Sequence, residues 1–277
     1  MSTRYHLRET TFRPRPAGTL TSLAATGTFL DRLPCSADAD RTTPPPPELA
    51  ELGVIIQLLT LRTIDGRRAL EPELGIIPAA DQAPAERFLV DGSVLAQAVR
   101  STILGLGSHG ERLQRGLFGP DSRGLPRVEI TDLISLQRRW GAASNGMAAG
   151  TPVPCRVRAG VVLLGALRIH APDLRSLALL FSALDRAATR GLPGAEQRPG
   201  PCQLDVLSIV GGAGGDLPSP AAILQGYESR FLVHPVTTSV AEPWPRARLR
   251  LDGRHARSAA SQVARLSPFE VEQGLAG

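Results

Sequence analysis

No lysine occurs anywhere in the 277 residues, so all 31 basic side chains are arginine. Arginine offers a planar fork of donors that matches phosphate, and it stays charged at any physiological pH. Compositional bias in the coding sequence produces the same pattern, so the absence is a hint of an anionic partner and no more. Aromatic residues are scarce at 4%, which argues against recognition built on stacking bases over rings. Three cysteines, Cys35, Cys155 and Cys202, stand far apart with no C-x-x-C. They suit a reducing compartment and offer neither a disulfide framework nor a zinc site. The five histidines, His6, His109, His170, His234 and His255, form no H-E-x-x-H or H-x-x-x-H pair, which argues against a metalloenzyme. Ser93 lies in no G-x-S-x-G, and no histidine can be placed beside it, so a hydrolase triad is unsupported. The first ten residues hold no apolar signal segment, and the run from Val161 to Ile169 is too short to cross a bilayer. The expectation is a cytoplasmic protein with no membrane partner and no resident metal.

What is present is an ordinary globular composition, 42% hydrophobic, with a formal net charge of +5 and a pI near 10.0. Such a chain can bury a sizeable core, and its charge favours an acidic partner. Gly53 to Ile64 is nearly continuously apolar and β-branched, as a central strand buried on both faces should be. Asp65-Gly66 breaks it, and a long loop is expected to run to Arg87. Phe88-Leu-Val90 leads into Asp91-Gly92 and a helix capped by Asp91 or Ser93, with Val94, Leu95, Ala98, Val99, Thr102 and Ile103 on its apolar face. A polar loop follows, closed by Leu117-Phe118-Gly119. Arg127 to Asp132 alternates as a half-buried strand does.

Leu136 to Pro154 has no usable period and reads as an excursion. Gly160 to Ile169 is a second apolar strand. Asp173 caps a helix that turns Leu174, Leu177, Leu180, Phe181, Leu184 and Ala188 inward and stops at Gly191. Gln203 to Val210 is the last core strand. The order strand, helix, strand, strand, helix, strand specifies an α+β, ferredoxin-like (RRM-like) βαββαβ core with two helices on one face of an antiparallel sheet. Residues 1–52 then form an N-terminal extension, with Arg4 to Arg13 as an exposed strand and Pro44 to Pro47 as a stiff connector. Residues 53–210 hold the core, with an insertion at 136–159. Residues 211–277 form a loop-rich C-terminal extension packed on that core, with a strand at Arg230–Val236, an alternating Arg246–Leu251 and a weak helix at Ala259–Leu266.

The stretch Phe88 to Asp132 resembles the signature region of the CRISPR-associated RAMP superfamily, especially the guide-RNA-binding backbone subunits of type III effector complexes. That pattern is a Pro-Gly-Ser-Ser-x-Lys-Gly-x-x-Arg helix start, then Leu-Phe-Gly, then a strand ending in Asp. Gly92, Ser93, Arg100, Leu117, Phe118, Gly119 and Asp132 match it. Asp91 stands where the pattern has Pro, Val94 for the second Ser, Ala96 for Lys and Gln97 for Gly. The resemblance covers roughly Gly53 to Val210. It implies the same ferredoxin-like fold, and an RNA-binding subunit of an antiviral ribonucleoprotein. Its partners would be a CRISPR guide RNA, a target RNA or DNA, and other effector subunits or further copies of itself.

Candidate RNA contacts follow. Arg67, Arg68 and Arg87 belong to the long loop, where flexible guanidiniums reach phosphates; a solvated loop is the plain alternative. Gly92, Ser93, Gln97 and Arg100 line the signature helix away from its apolar face. Arg138, Arg139 and Trp140, before Gly141-Ala142-Ala143, resemble the family's thumb insertion and can hold phosphate and wedge against a base. A surface dibasic pair beside a core Trp is the alternative there. Arg190, Gly191, Gly194 and Arg198 occupy the position of the family's glycine-rich loop, diluted here by Pro193, Glu196 and Pro199, and a helix cap explains Gly191 equally well. Gly211-Gly212-Ala-Gly214-Gly215 has no helix at nucleotide-binding spacing. RNA-cleaving relatives carry a catalytic loop Asp; the corresponding stretch here is E-P-E-L-G-I-I without one, leaving Asp65 and Asp81 (or a Glu) as candidates. No cofactor is expected, with Mg2+ entering only if the chain is a nuclease. Two alternatives remain: an endoribonuclease of the same fold, using a loop carboxylate on target or a histidine such as His109 or His170 on guide precursor, and an assembly subunit with little RNA contact.

Overall fold

Strand β1 (Glu51–Thr60) is the element around which the others assemble. Leu52, Val54, Ile56 and Leu58 are buried on one face and Ile55 on the other, so neither face can meet water. The computed structural model describes residues 32–34, 47–65, 68–78, 87–120, 124, 126–137, 153–192, 200–231, 244, 247 and 249–266. On one side β1 pairs antiparallel with β9 (Val162–His170), and on the other with β10 (Cys202–Gly211), with Ile55 opposite Ala166 and Ser208. A register shift at Ile55/Ile56 marks a bulge in the β1–β10 ladder.

The far side of β9 takes β6 (Val128–Ile130) and β7 (Leu133–Ser135), two halves of one strand interrupted at Thr131–Asp132. The crossovers are α1 (Gly92–Leu104) before β6 and α3 (Leu174–Arg190) between β9 and β10. Taken along the sheet, the core strands therefore run fourth, first, third, second, and the expected ferredoxin-like α+β core is borne out. Leu95, Val99 and Ile103 of α1 and Leu177, Leu180, Phe181 and Leu184 of α3 bury against β1, at about 1.5–3 kcal/mol for each large side chain. Asp173 caps α3 as expected, its carboxylate accepting from Ser176 N–H at 2.8 Å and Ser176 O–H at 2.8 Å. Gly191 ends that helix with φ of 101°.

Several expectations are corrected. Residues 65–87 are not one loop: β2 (Thr63–Asp65) and β3 (Arg68–Leu70) form a hairpin, while β4 (Glu73–Pro78) and β5 (Phe88–Val90) extend the main sheet beyond β7, ending at β8 (Val153–Arg156). These strands are only three to six residues long, below the length at which period-two alternation is legible. The polar loop before Leu117 is a helix, α2 (Gly110–Phe118), whose Leu117 and Phe118 enter the core. Two glycines in nine residues conceal its period. Beyond Gly211 a helix α4 (Pro220–Phe231) stands where loop was expected, and it ends inside the expected strand at Arg230–Val236; residues 232–236 lie outside the described residues. Strand β11 (Leu249–Asp252) adds to the edge of β10, and the last helix, α5 (Arg254–Ala264), starts five residues earlier than Ala259.

Helices do not confine themselves to one face. On the second face Ile55, Ile134, Leu164, Ala166, Leu207 and Val210 pack under Ile223 and Leu224 of α4 and under Trp244. The Trp244 ring sits so close to β1 that a Cβ on Gly53 would meet it at 2.8 Å. Consequently neither sheet face is an open platform at its apolar centre. Among the described residues, no helix is long and apolar enough to cross a membrane.

Candidate nucleic-acid interface

The signature residues make two contacts along α1, Gly92 with Asp132 at its start and Arg100 with Phe118 in its later turns. Asp91 is its N-cap, with φ −55° and ψ 125°, and its carboxylate accepts from Ser93 N–H at 2.7 Å. Its carbonyl accepts from Val94 N–H at 3.0 Å. Gly92 N–H donates to Asp132 Oδ1 at 2.9 Å. Asp132 is free to do so because the strand bends there. Thr131 replaces a ladder bond with its side chain, Oγ1 accepting from Ala166 N–H at 2.9 Å while its own N–H donates to Ala166 O at 2.9 Å. The bend brings β6 so near the helix that a Cβ on Gly92 would lie 2.4 Å from Thr131 O. Glycine is thus demanded by close approach of two backbones.

This arrangement decides what the helix can offer a ligand. The N–H groups of Gly92, Ser93 and Val94 are all taken within the chain, two of them by carboxylates. The positive end of the helix dipole is therefore already answered by negative charge. What faces outward is a stripe of Ser93, Gln97 and Arg100, all exposed, at spacings of four and three. The Arg100 guanidinium carbon lies 4.7 Å from the centroid of the Phe118 ring, a cation–π contact of about 0.5–1 kcal/mol at an exposed site. Phe118 in turn is fixed by the end of α2, where Gly119 N–H bonds Arg115 O at 2.8 Å and a Cβ on Gly119 would collide with that oxygen at 2.3 Å. Gly92 with Asp132, and Arg100 with Phe118, are accordingly a set of two contacts strung along α1.

Arg127 ties this set to α3. Its guanidinium donates to Gly116 O at 2.9 Å and to Ala171 O at 3.0 Å, and it pairs with Asp173 Oδ2 at 3.2 Å. Other arginines are likewise paired within the chain. Arg168 pairs with Glu129 at 2.5 Å, and Arg257 with Asp205 at 3.1 Å. Burial pushes the Asp205 carboxyl up despite Arg257, and burial followed by the Asp205 charge pushes up Tyr227. Glu71 accepts from Ala159 N–H at 2.6 Å and from Arg62 at 2.9 Å; the amide and then Arg62 hold its carboxyl low against the opposing effect of burial. Burial pushes the Cys202 thiol up to about 12, which leaves it unreactive as a thiolate.

Not all expected contacts can be located. Arg67, Asp81, Arg138, Arg139, Trp140, Gly194 and Arg198 lie outside the described residues. Asp65 and Arg68 pair across the β2–β3 hairpin at the level of the backbone. Arg87 is buried and donates to Ser135 O at 3.2 Å, so it is a core strut and not a loop arginine. Arg190 is exposed at the end of α3, and Gly191 N–H caps the helix by donating to Ala187 O and Ala188 O. The base of the 192–200 segment is closed by a two-bond bridge between Leu192 and Gly200. His170 is buried between Glu51 and Glu129, at 3.4 Å from each, whereas His109 is exposed before α2. Among the described residues no three of His, Cys, Asp and Glu are placed to share a metal. Two exposed arginines of α2, Arg112 and Arg115, escaped sequence reading; their i, i+3 spacing is a signal only once the segment is known to be helical.

No family model matches the chain, and no curated protein matches it by sequence. Solved structures do match. Csc2 of Thermofilum pendens aligns at 13% identity and a TM-score of 0.44 over 72% of this chain and 76% of that one. A chain of a type III-B Cmr-beta complex bound to cognate target RNA aligns at 15% identity and 0.38, over 60% of this chain and 62% of its own length. A chain of a Csm3–Csm4 subcomplex from a type III-A CRISPR-Cas interference complex aligns at 16% identity and 0.34, over 58% and 80%. These neighbours are CRISPR-associated subunits. At identities of 16% or less and TM-scores below 0.5, the alignments say nothing of what this chain does.

Proposed function

We propose that the chain binds guide RNA as a backbone-gripping subunit of a CRISPR effector ribonucleoprotein. The observation that carries this reading is the way α1 gathers the signature residues. Gly92-Ser93, Arg100, Leu117-Phe118-Gly119 and Asp132 stand in the family's order, and on a βαββαβ core the helix sets Gly92 against Asp132 and Arg100 against Phe118. The core accounts for the glycines and for Asp132, and it leaves Ser93, Gln97 and Arg100 facing outward. Grip by arginine on a phosphate backbone is independent of sequence and weakens with salt, which suits a subunit that must accept any guide. Target RNA or DNA and further subunits are the remaining partners of this reading, with Arg67, Arg68, Arg138, Arg139, Trp140, Arg190 and Arg198 as further contacts.

Cleavage has less support. Glu71, the first carboxylate of the E-P-E stretch, is engaged by Ala159 and Arg62, and Glu73 begins a regular strand. The deciding experiment is purification with the neighbouring operon products, followed by sequencing of bound nucleic acid. Discrete short RNAs sharing a repeat-derived end are expected, and Asp65→Ala with Asp81→Ala should leave any RNA cutting unchanged. Recovery of heterogeneous RNA, or of none, would overturn the assignment.

A further inference from the structure

Most described arginines whose partners are known face a carboxylate or a carbonyl, as Arg62, Arg127, Arg168 and Arg257 do. Arg100, Arg112 and Arg115 are grouped on two helices that pack against each other. All three are exposed, and no ion pair joins any of them to an acid among the described residues. Arg112 and Arg115 lie one turn apart on the outer side of α2, opposite Leu117, which faces the core. The adjoining Phe118 holds Arg100 of α1 over its ring at 4.7 Å. Glu111 shares α2, one turn from Arg115, but forms no ion pair with it. Arg115 in the last turn is also favoured by the helix dipole. Three exposed guanidiniums outside any described ion pair, on two helices in contact, offer an anion a positive strip.

We propose that Arg100, Arg112 and Arg115 contact successive phosphates of one single-stranded RNA across the outer faces of α1 and α2, with Phe118 as the positioning residue for Arg100. The strip lies on two helices. It rests on the RNA-binding reading above and adds Arg112, Arg115 and Phe118 to it.

The test is the salt dependence of binding between the full chain and a fluorescein-labelled single-stranded RNA, read by anisotropy. Each phosphate contact contributes about 0.7 to the slope of log K against log salt for a single strand. Arg112→Ala with Arg115→Ala should therefore flatten the slope by about 1.4, and adding Arg100→Ala should bring the loss to about 2. Arg254→Ala with Arg265→Ala removes the same charge from exposed positions at the two ends of α5 and should leave the slope unchanged. Phe118→Leu should weaken binding in the native background and have no further effect once Arg100 is Ala; a merely structural role would weaken both equally. An unchanged slope in the α2 double variant, or an equal loss in the α5 control, overturns the strip while leaving RNA binding in place. A native chain that binds no RNA overturns both readings together.

Discussion

Replacing Gly92 by Ala should be among the most damaging single-methyl changes available to this protein. The new Cβ would stand 2.4 Å from Thr131 O, 2.6 Å from Thr131 C and 2.9 Å from Ile130 O. None of these atoms can yield, because Thr131 is bonded to Ala166 both through its amide and through its hydroxyl. The first turn of α1 must lift instead, which breaks the 2.9 Å bond from Gly92 N–H to Asp132. Overpacking costs about 1–3 kcal/mol, and loss of a hydrogen bond to a charged group costs about 1.5–3 kcal/mol. The lower chain entropy of Ala returns about 0.5–1 kcal/mol. The net loss is about 1.5–5.5 kcal/mol, a large share of the roughly 5–15 kcal/mol that holds a domain folded. Gly116 on the next helix is the control, since a Cβ there meets nothing within 4 Å. Gly116→Ala should stabilise by about 0.5–1 kcal/mol through helix propensity alone. Urea titration followed by far-ultraviolet circular dichroism measures both. If Gly92→Ala falls within about 0.5 kcal/mol of the native protein, or if the two variants shift in the same direction, the close-approach account is wrong.

Three further outcomes are expected. Arg127→Ala should destabilise by about 2–4 kcal/mol in the same titration, because it strips the partner from the buried Asp173 carboxylate and from Ala171 O; Lys should recover only part of this. Ala171 is the one non-glycine residue with positive φ among the described residues, at 46°, so Ala171→Gly should gain about 0.5–1 kcal/mol by relieving the Cβ. Glu71 is held below the ordinary carboxylate range, chiefly by the Ala159 amide. Its contribution is therefore present at neutral pH and lost as pH falls through the folded value, so Glu71→Gln should lower Tm at pH 7 and converge on the native protein in acid. A difference in Tm that does not change with pH would refute that assignment.

How much of this was legible in sequence depended on the reach of each signal. The long strands β1, β9 and β10 and the helices α1 and α3 carry nine or more residues of one period, so pattern alone identified them and their order. Asp173 and Gly191 were readable as cap and stop because their chemistry is local. The cap of α1 was narrowed only to Asp91 or Ser93, and the bond from Ser93 N–H to the Asp91 carboxylate decides for Asp91.

What sequence could not supply are contacts that close over distance. Gly92 to Asp132 spans 40 residues. Arg100 meets Phe118 only because α2, too short and glycine-broken to show a period, brings that ring back beneath it. Arg87 looked like a mobile loop cation and is a buried strut, since β5 and β7 enclose it. The second sheet face looked open because α4 carries little periodicity and Trp244 stands far along the chain, yet together they cover it. Local propensity and period determined the elements and their order. Only packing, which depends on what each side chain meets across the fold, decided which signature residues hold the backbone together and which are left facing a ligand.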